Sequence, residues 1–172
     1  MPAQPTGSYS YSYDEEGDPA SGSPTTQVSS IPEIATRLAS MNSLCTGSGG
    51  YTVDCLAERI EALEQDAANI GGHTELKQIL RDTAEELRNL ARENRDPAKP
   101  RARLIGPDGQ QSTRPLVAVA PDRRRGTHER AIAILEEAET RLLRSSTQSV
   151  ERANQYQQVA QALGSNKVLL RS

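Results

Sequence analysis

Residues 54–94, DCLAERIEALEQDAANIGGHTELKQILRDTAEELRNLAREN, decide the fold. Leu56, Ile60, Leu63, Ala67 and Ile70 recur at steps of three and four, and a second series, Leu76, Ile79, Leu80, Ala84, Leu87, Leu90 and Ala91, follows Gly71-Gly72. That is the period of a helix with one buried face. The spacing predicts a helix opening near Asp54, with Thr52 or Asp54 as its cap, and a second from His73 or Thr74 to Asn94. A link of two or three residues at the glycines forces an antiparallel hairpin. Glu58, Glu61, Glu64 and Gln65 fall mostly off the first stripe and are expected to face outward.

Composition agrees with helix on helix. The chain has 172 residues and no Phe or Trp, so Leu, Ile and Val with Ala must fill the core. Aromatic and β-branched runs at regular spacing are missing, which argues against an all-β fold. Upstream, Ser30 stands three residues before Glu33 as a capping box, and Ile31, Ile34, Ala35, Leu38 and Met41 give a short packing helix. Downstream, a stripe runs from Thr127 to Gly164. Unbroken, that helix would measure roughly 55 Å at about 1.5 Å per residue, far longer than the hairpin. A break at Ser145-Ser146-Thr147 is favoured, with the returning half packing on the first helix; the alternative is a half that projects beyond the hairpin. Lys167 to Arg171 has strand-like character and is expected on the connector. The expected fold is mainly α: a small bundle of three to four helices, an antiparallel hairpin plus a long C-terminal helix. The 101–120 connector offers either a minor β-hairpin, Arg103–Ile105 against Leu116–Ala120 about Pro107-Asp108-Gly109, or an extended strap on the helices.

Residues 1–29, with Ser8-Tyr9-Ser10-Tyr11-Ser12-Tyr13 and then acids, have little to bury and are expected to be a disordered acidic tail before a helical domain over 30–172. No stretch approaches the roughly 18 to 20 consecutive apolar residues of a membrane-spanning helix. Met1 to Pro5 lacks leader character, so either the chain is cytosolic or a leader precedes it.

Charge is unevenly spread. Residues 54–94 hold ten acids against five bases, and the connector from Arg95 to Arg125 holds eight bases against three acids. Arg101, Arg103, Arg114, Arg123, Arg124 and Arg125 make a candidate patch for an anionic partner such as nucleic acid or phospholipid headgroups, though without aromatic residues for stacking. The acidic helices offer these arginines an internal surface instead.

Cys45 and Cys55 flank a Gly-rich loop able to bring them to disulfide distance, which implies an oxidising compartment. Their spacing suits neither redox catalysis nor zinc. His73 and His128 stand at expected helix starts with no second histidine nearby and read as solvated first-turn residues. Gly47-Ser48-Gly49-Gly50 lacks the Lys-Ser/Thr ending of a phosphate loop. Ser43 and Ser48 have no base beside them, and Glu85-Glu86 and Glu136-Glu137 read as solvated faces. Val150, Ala153, Tyr156, Ala160 and Leu163 form a candidate helix-packing surface, or ordinary core against the first helix.

These readings point to a non-catalytic helical interaction or assembly module, periplasmic or secreted, with no cofactor and no metal site expected. Its partner would be a protein or a second copy rather than a small molecule. The alternative is a cytosolic nucleic-acid-associated protein using the Arg-rich connector.

Overall fold

Helix α1, Ile31–Ser40, begins where the capping pattern places it: the Ser30 side chain accepts the Glu33 amide at 3.4 Å. The Glu33 carboxylate turns back to accept the backbone N–H and hydroxyl of Ser29 at 2.9 and 2.8 Å, one residue earlier than a capping box requires. The computed structural model describes residues 27–145 and 149–171, so most of the expected tail lies outside the described residues. Val28 is buried, and its N–H donates to the Asp66 carbonyl at 3.0 Å. Packed chain therefore starts two residues ahead of the cap.

The protein is a small helical bundle, mainly α, with no strand among the described residues. A four-residue α2, Asn42–Cys45, and a 3-10 turn, Gly49–Tyr51, lead into α3, Thr52–Asp66, which lies antiparallel to α4, Thr74–Glu93. Both apolar stripes face the core as the period requires. Neither Thr52 nor Asp54 caps α3: the preceding turn runs straight into the helix, and the Thr52 hydroxyl donates to the Gly49 carbonyl at 2.8 Å. The hairpin link is longer than expected. α3 stops at Asp66, ahead of the glycines, because Ala68 and Ile70 close turns onto the Gln65 and Ala67 carbonyls at 3.2 and 3.0 Å.

The C-terminal stripe divides as favoured. α5, Arg124–Arg144, and α6, Val150–Ser165, flank residues 146–148, which lie outside the described residues. Ser149 caps α6 by accepting the Arg152 N–H at 3.1 Å. α6 packs on both α5 and α1, giving the first helix its partner. Among the described residues the bundle thus has five helices of ten residues or more.

One expectation needs correction, and of the two readings of the connector the extended strap is the one found. The C-terminal Asn166–Leu170 is a 3-10 turn against α5 and α6, not a strand on the connector. Its buried Asn166 amide donates to the Leu38 and Ala162 carbonyls at 2.9 and 3.1 Å, which ties the chain end to the bundle. The connector forms only isolated antiparallel bridges, Arg95 with Val119, Ala102 with Leu116 and Ile105 with Gln111. Pro97, Pro100, Pro107 and Pro115 have no N–H to give, so no continuous ladder can form. No helix among the described residues is long and apolar enough to cross a membrane.

Along α6, Leu163 is fully buried and Val150 is 79% exposed. Leu163→Ala is expected to cost about 2–5 kcal/mol in urea unfolding, and Val150→Ala less than about 0.5 kcal/mol. Equal costs would mean that α6 does not pack in this register.

Candidate functional site

Asp54, Glu58 and Glu61 follow one another at i, i+4 and i+7 along α3, which sets them in one row. Connector residues 111–117 lie across that row. Asp54 is fully buried, and its two oxygens accept both terminal nitrogens of Arg114 at 2.9 and 3.0 Å and the Val117 N–H at 2.8 Å. Arg114 Nε reaches Glu61 at 3.2 Å. Burial works against the Arg114 charge but is outweighed by Asp54 and Glu61, so its pKa is raised.

Glu58 was expected to face outward and is fully buried. Arg59 forks onto its carboxylate at 2.6 and 2.7 Å, and the Thr113 N–H and hydroxyl both donate to it at 2.8 Å. Burial alone would raise its pKa; the hydrogen bonds from Arg59 and Thr113 together with the Arg59 charge win and hold it below the ordinary value. A carboxylate pointed outward would have left two connector donors without acceptors, and this is why it turns in.

Next to this row, Cys45 and Cys55 form a disulfide with Cα atoms 5.7 Å apart, and both are fully buried. It joins the end of α2 to the first turn of α3. Gly50 completes the corner: a Cβ there would stand 3.0 Å from the Val119 carbonyl oxygen, and the absence of one lets the Val119 N–H donate to the Gly50 carbonyl at 2.8 Å.

Neither histidine is a freely solvated first-turn residue. His73 precedes α4 half-buried, with Nδ1 2.8 Å from the hydroxyl of buried Tyr156. His128 is buried, with Nδ1 3.2 Å from the Leu170 carbonyl and Nε2 unpartnered. Burial lowers both pKa values first; Arg152 and Lys77 add to it at His73, and at His128 Arg124 adds while the Leu170 carbonyl opposes.

The six arginines do not form one patch. Arg114 is committed to Asp54, and Arg103 donates to the Ser112 and Thr113 carbonyls at 3.3 and 3.4 Å, midway along the connector. Arg123 donates to the Glu93 carbonyl, Arg124 lies over Gly50, and Arg125 stands almost fully exposed, 3.8 Å from Glu129. Arg101 is exposed. Of the candidate packing surface, Tyr156, Ala160 and Leu163 are core, Ala153 is half-buried and Val150 is exposed.

One outward feature was not expected from sequence. Between α4 and α5 a cleft of about 390 Å³ has a floor of Leu90, Ala133 and Ile134 and a rim of Glu86, Glu93 and Arg130. Its only sequence signal was Ala133, apolar and off the stripe, next to Ile134 on it. No protein-family model, curated protein or solved structure matches the chain.

Arg114→Ala would leave Asp54 buried without its cation, and the expected loss is about 3–5 kcal/mol by denaturant unfolding. Arg103→Ala, an exposed residue with two long carbonyl contacts, should cost less than about 0.5 kcal/mol. A small loss at Arg114 would show that Asp54 is not held as described.

The histidines set a pH limb. Their folded pKa values lie below the ordinary 6.5, so the unfolded chain binds protons first. Their contribution is complete above pH 6.5 and is lost as pH falls from there toward the folded values. The urea midpoint is expected to drop across this window, and the slope should flatten in the His73→Gln, His128→Gln double variant; an unchanged slope would assign the limb to other groups.

Proposed function

We propose that the chain is a non-catalytic interaction module, braced by a disulfide for an oxidising compartment, that receives an amphipathic helix of a protein partner between α4 and α5. What carries the reading is the α4–α5 cleft, whose apolar floor and charged rim match the helix-in-groove mode of recognition. The two walls are the longest helices described, of 20 and 21 residues, and Arg141 pairs with Asp82 across them at 3.1 Å. Rigid walls keep the ordering cost of docking low. The buried Cys45–Cys55 bridge supports a periplasmic or secreted setting, because such bridges are reduced in most cytosols.

Ala133 is exposed at the cleft, so Ala133→Arg fills it without touching the core. Captured from its own source, the full chain is expected to retain a partner that Ala133→Arg loses at unchanged thermal midpoint, and alkylation of that material after denaturation without reductant should label neither cysteine. A strictly monomeric, partnerless chain, or capture indifferent to Ala133→Arg, would overturn the docking mode; two labelled thiols would overturn the compartment.

A further inference from the structure

The end of the bundle where α3 begins, α4 stops and α5 starts collects cations from separate segments. Arg95 bridges to Val119, whose N–H donates to the Gly50 carbonyl. The Ala120 N–H donates to the Asn94 carbonyl at 2.9 Å and Arg123 Nη1 to that of Glu93 at 3.2 Å. Arg124 Nη2 lies 3.3 Å from where a Cβ on Gly50 would stand. Lys99 Nζ sits 5.8 Å from the centre of the Tyr51 ring, and the Tyr51 hydroxyl donates to the Pro100 carbonyl at 2.8 Å, which brings Arg101 to the same end.

Acids are present there but do not match these cations. Asp96 is buried and accepts the Ala98 N–H, and Glu93 and Asp122 are exposed. Among the described residues, Arg125 is the only one of Arg95, Lys99, Arg101, Arg123, Arg124 and Arg125 with a carboxylate within 4.0 Å, that of Glu129. Along α3 and α4 arginines are paired, Arg37 with Asp66, Arg81 with Glu64, Arg88 with Glu61 and Arg141 with Asp82, whereas Arg130 and Arg152, like the rest of the basic end, have no carboxylate within 4.0 Å among the described residues.

We propose that this basic end takes the acidic stretch Asp14–Asp18 of the chain's own N-terminal segment. Residues 1–26 contain Asp14, Glu15, Glu16 and Asp18 and no base, the complement of that surface. Reach is sufficient. The segment joins the bundle at Val28, beside Asp66 at the far end of α3, and α3 is about 22 Å long at about 1.5 Å per residue. Ten residues separate Asp18 from Val28, and ten extended residues span up to about 33–36 Å. Tethering makes the encounter intramolecular, so exposed charge pairs that are weak singly can act together. Tyr9, Tyr11 and Tyr13, just upstream, add ring faces that arginine favours.

The chain has three lysines, and their placement gives the experiment its own control. Lys77 donates to the Ala68 carbonyl, near the point where the N-terminal segment joins, and Lys99 marks the basic end. Carbodiimide coupling of the full-length protein, mapped by mass spectrometry at low salt, is expected to join residues 14–18 to Lys99 several-fold more than to the nearer Lys77. The excess should vanish at about 0.5 M salt, where screening is nearly complete. It should also shrink in R95Q/R101Q/R125Q, which leaves every coupling carboxylate and lysine in place, with melting unchanged. Parity of the two lysines at low salt, coupling only between chains, no coupling from residues 14–18, or indifference to salt would each overturn the proposal.

Discussion

The buried carboxylate of Asp54 is the contact on which the remaining architecture depends. The connector cannot complete a ladder, because prolines remove the amides a ladder would use. Its remaining donors must still be satisfied where they are buried. α3 satisfies them with side chains: Asp54 takes the Val117 amide and Arg114, and Glu58 takes both donors of Thr113. Buried ion pairs of this kind contribute little net stability over apolar packing, but losing one partner is costly. They therefore fix where the connector lies more than they strengthen the bundle. The disulfide sits one residue beyond Asp54, so closing the loop also sets the carboxylate's position at the start of α3, and in the chain-entropy model contributes about 3 kcal/mol.

Later elements inherit that placement. Once 111–117 is pinned to α3, the chain arrives at Ala120 beside the end of α4, and α5 must start there. α5 then runs the length of α4, and a continuous helix beyond Arg144 would leave the bundle with an unmatched apolar stripe. α6 returns that stripe to α1, where Tyr156, Ala160 and Leu163 close the core. Where α5 and α6 cross, the Glu139 carboxylate lies over Gly164, 2.6 Å from where a Cβ would stand, and is held by Lys167 at 3.0 Å.

The parts legible in sequence were those governed by local rules. Period gave the hairpin faces, Ser30 gave the first cap, the length of the C-terminal stripe gave its break, and two cysteines across a glycine loop gave the bridge. What escaped depends on partners far along the chain. Glu58 looks solvated beside Leu56 and Ile60 because nothing local announces Thr113, 55 residues away. The i, i+4, i+7 row of acids facing an arginine-rich connector was visible as charge balance, but its register was not. His128 escaped similarly, since its burial is made by the chain end at Leu170. The α4–α5 cleft was illegible because a groove is a property of two helices, whereas each apolar stripe describes one.

Charge accounting separates the interior from the surfaces. The whole chain carries −3 and residues 1–26 account for −4, so the remainder carries +1. Within that near-neutral body the α3 acids are taken up by Arg59, Arg81, Arg88 and Arg114, with Arg37 on Asp66. Matching them there leaves the cations around Gly50 without equivalent carboxylate partners among the described residues. A nearly neutral body has little long-range attraction for a polyanion, since its field falls away within a Debye length of about 8 Å at physiological salt. Short-range complementarity at the basic end, and apolar contact in the α4–α5 cleft, are then the two places where binding energy can accumulate.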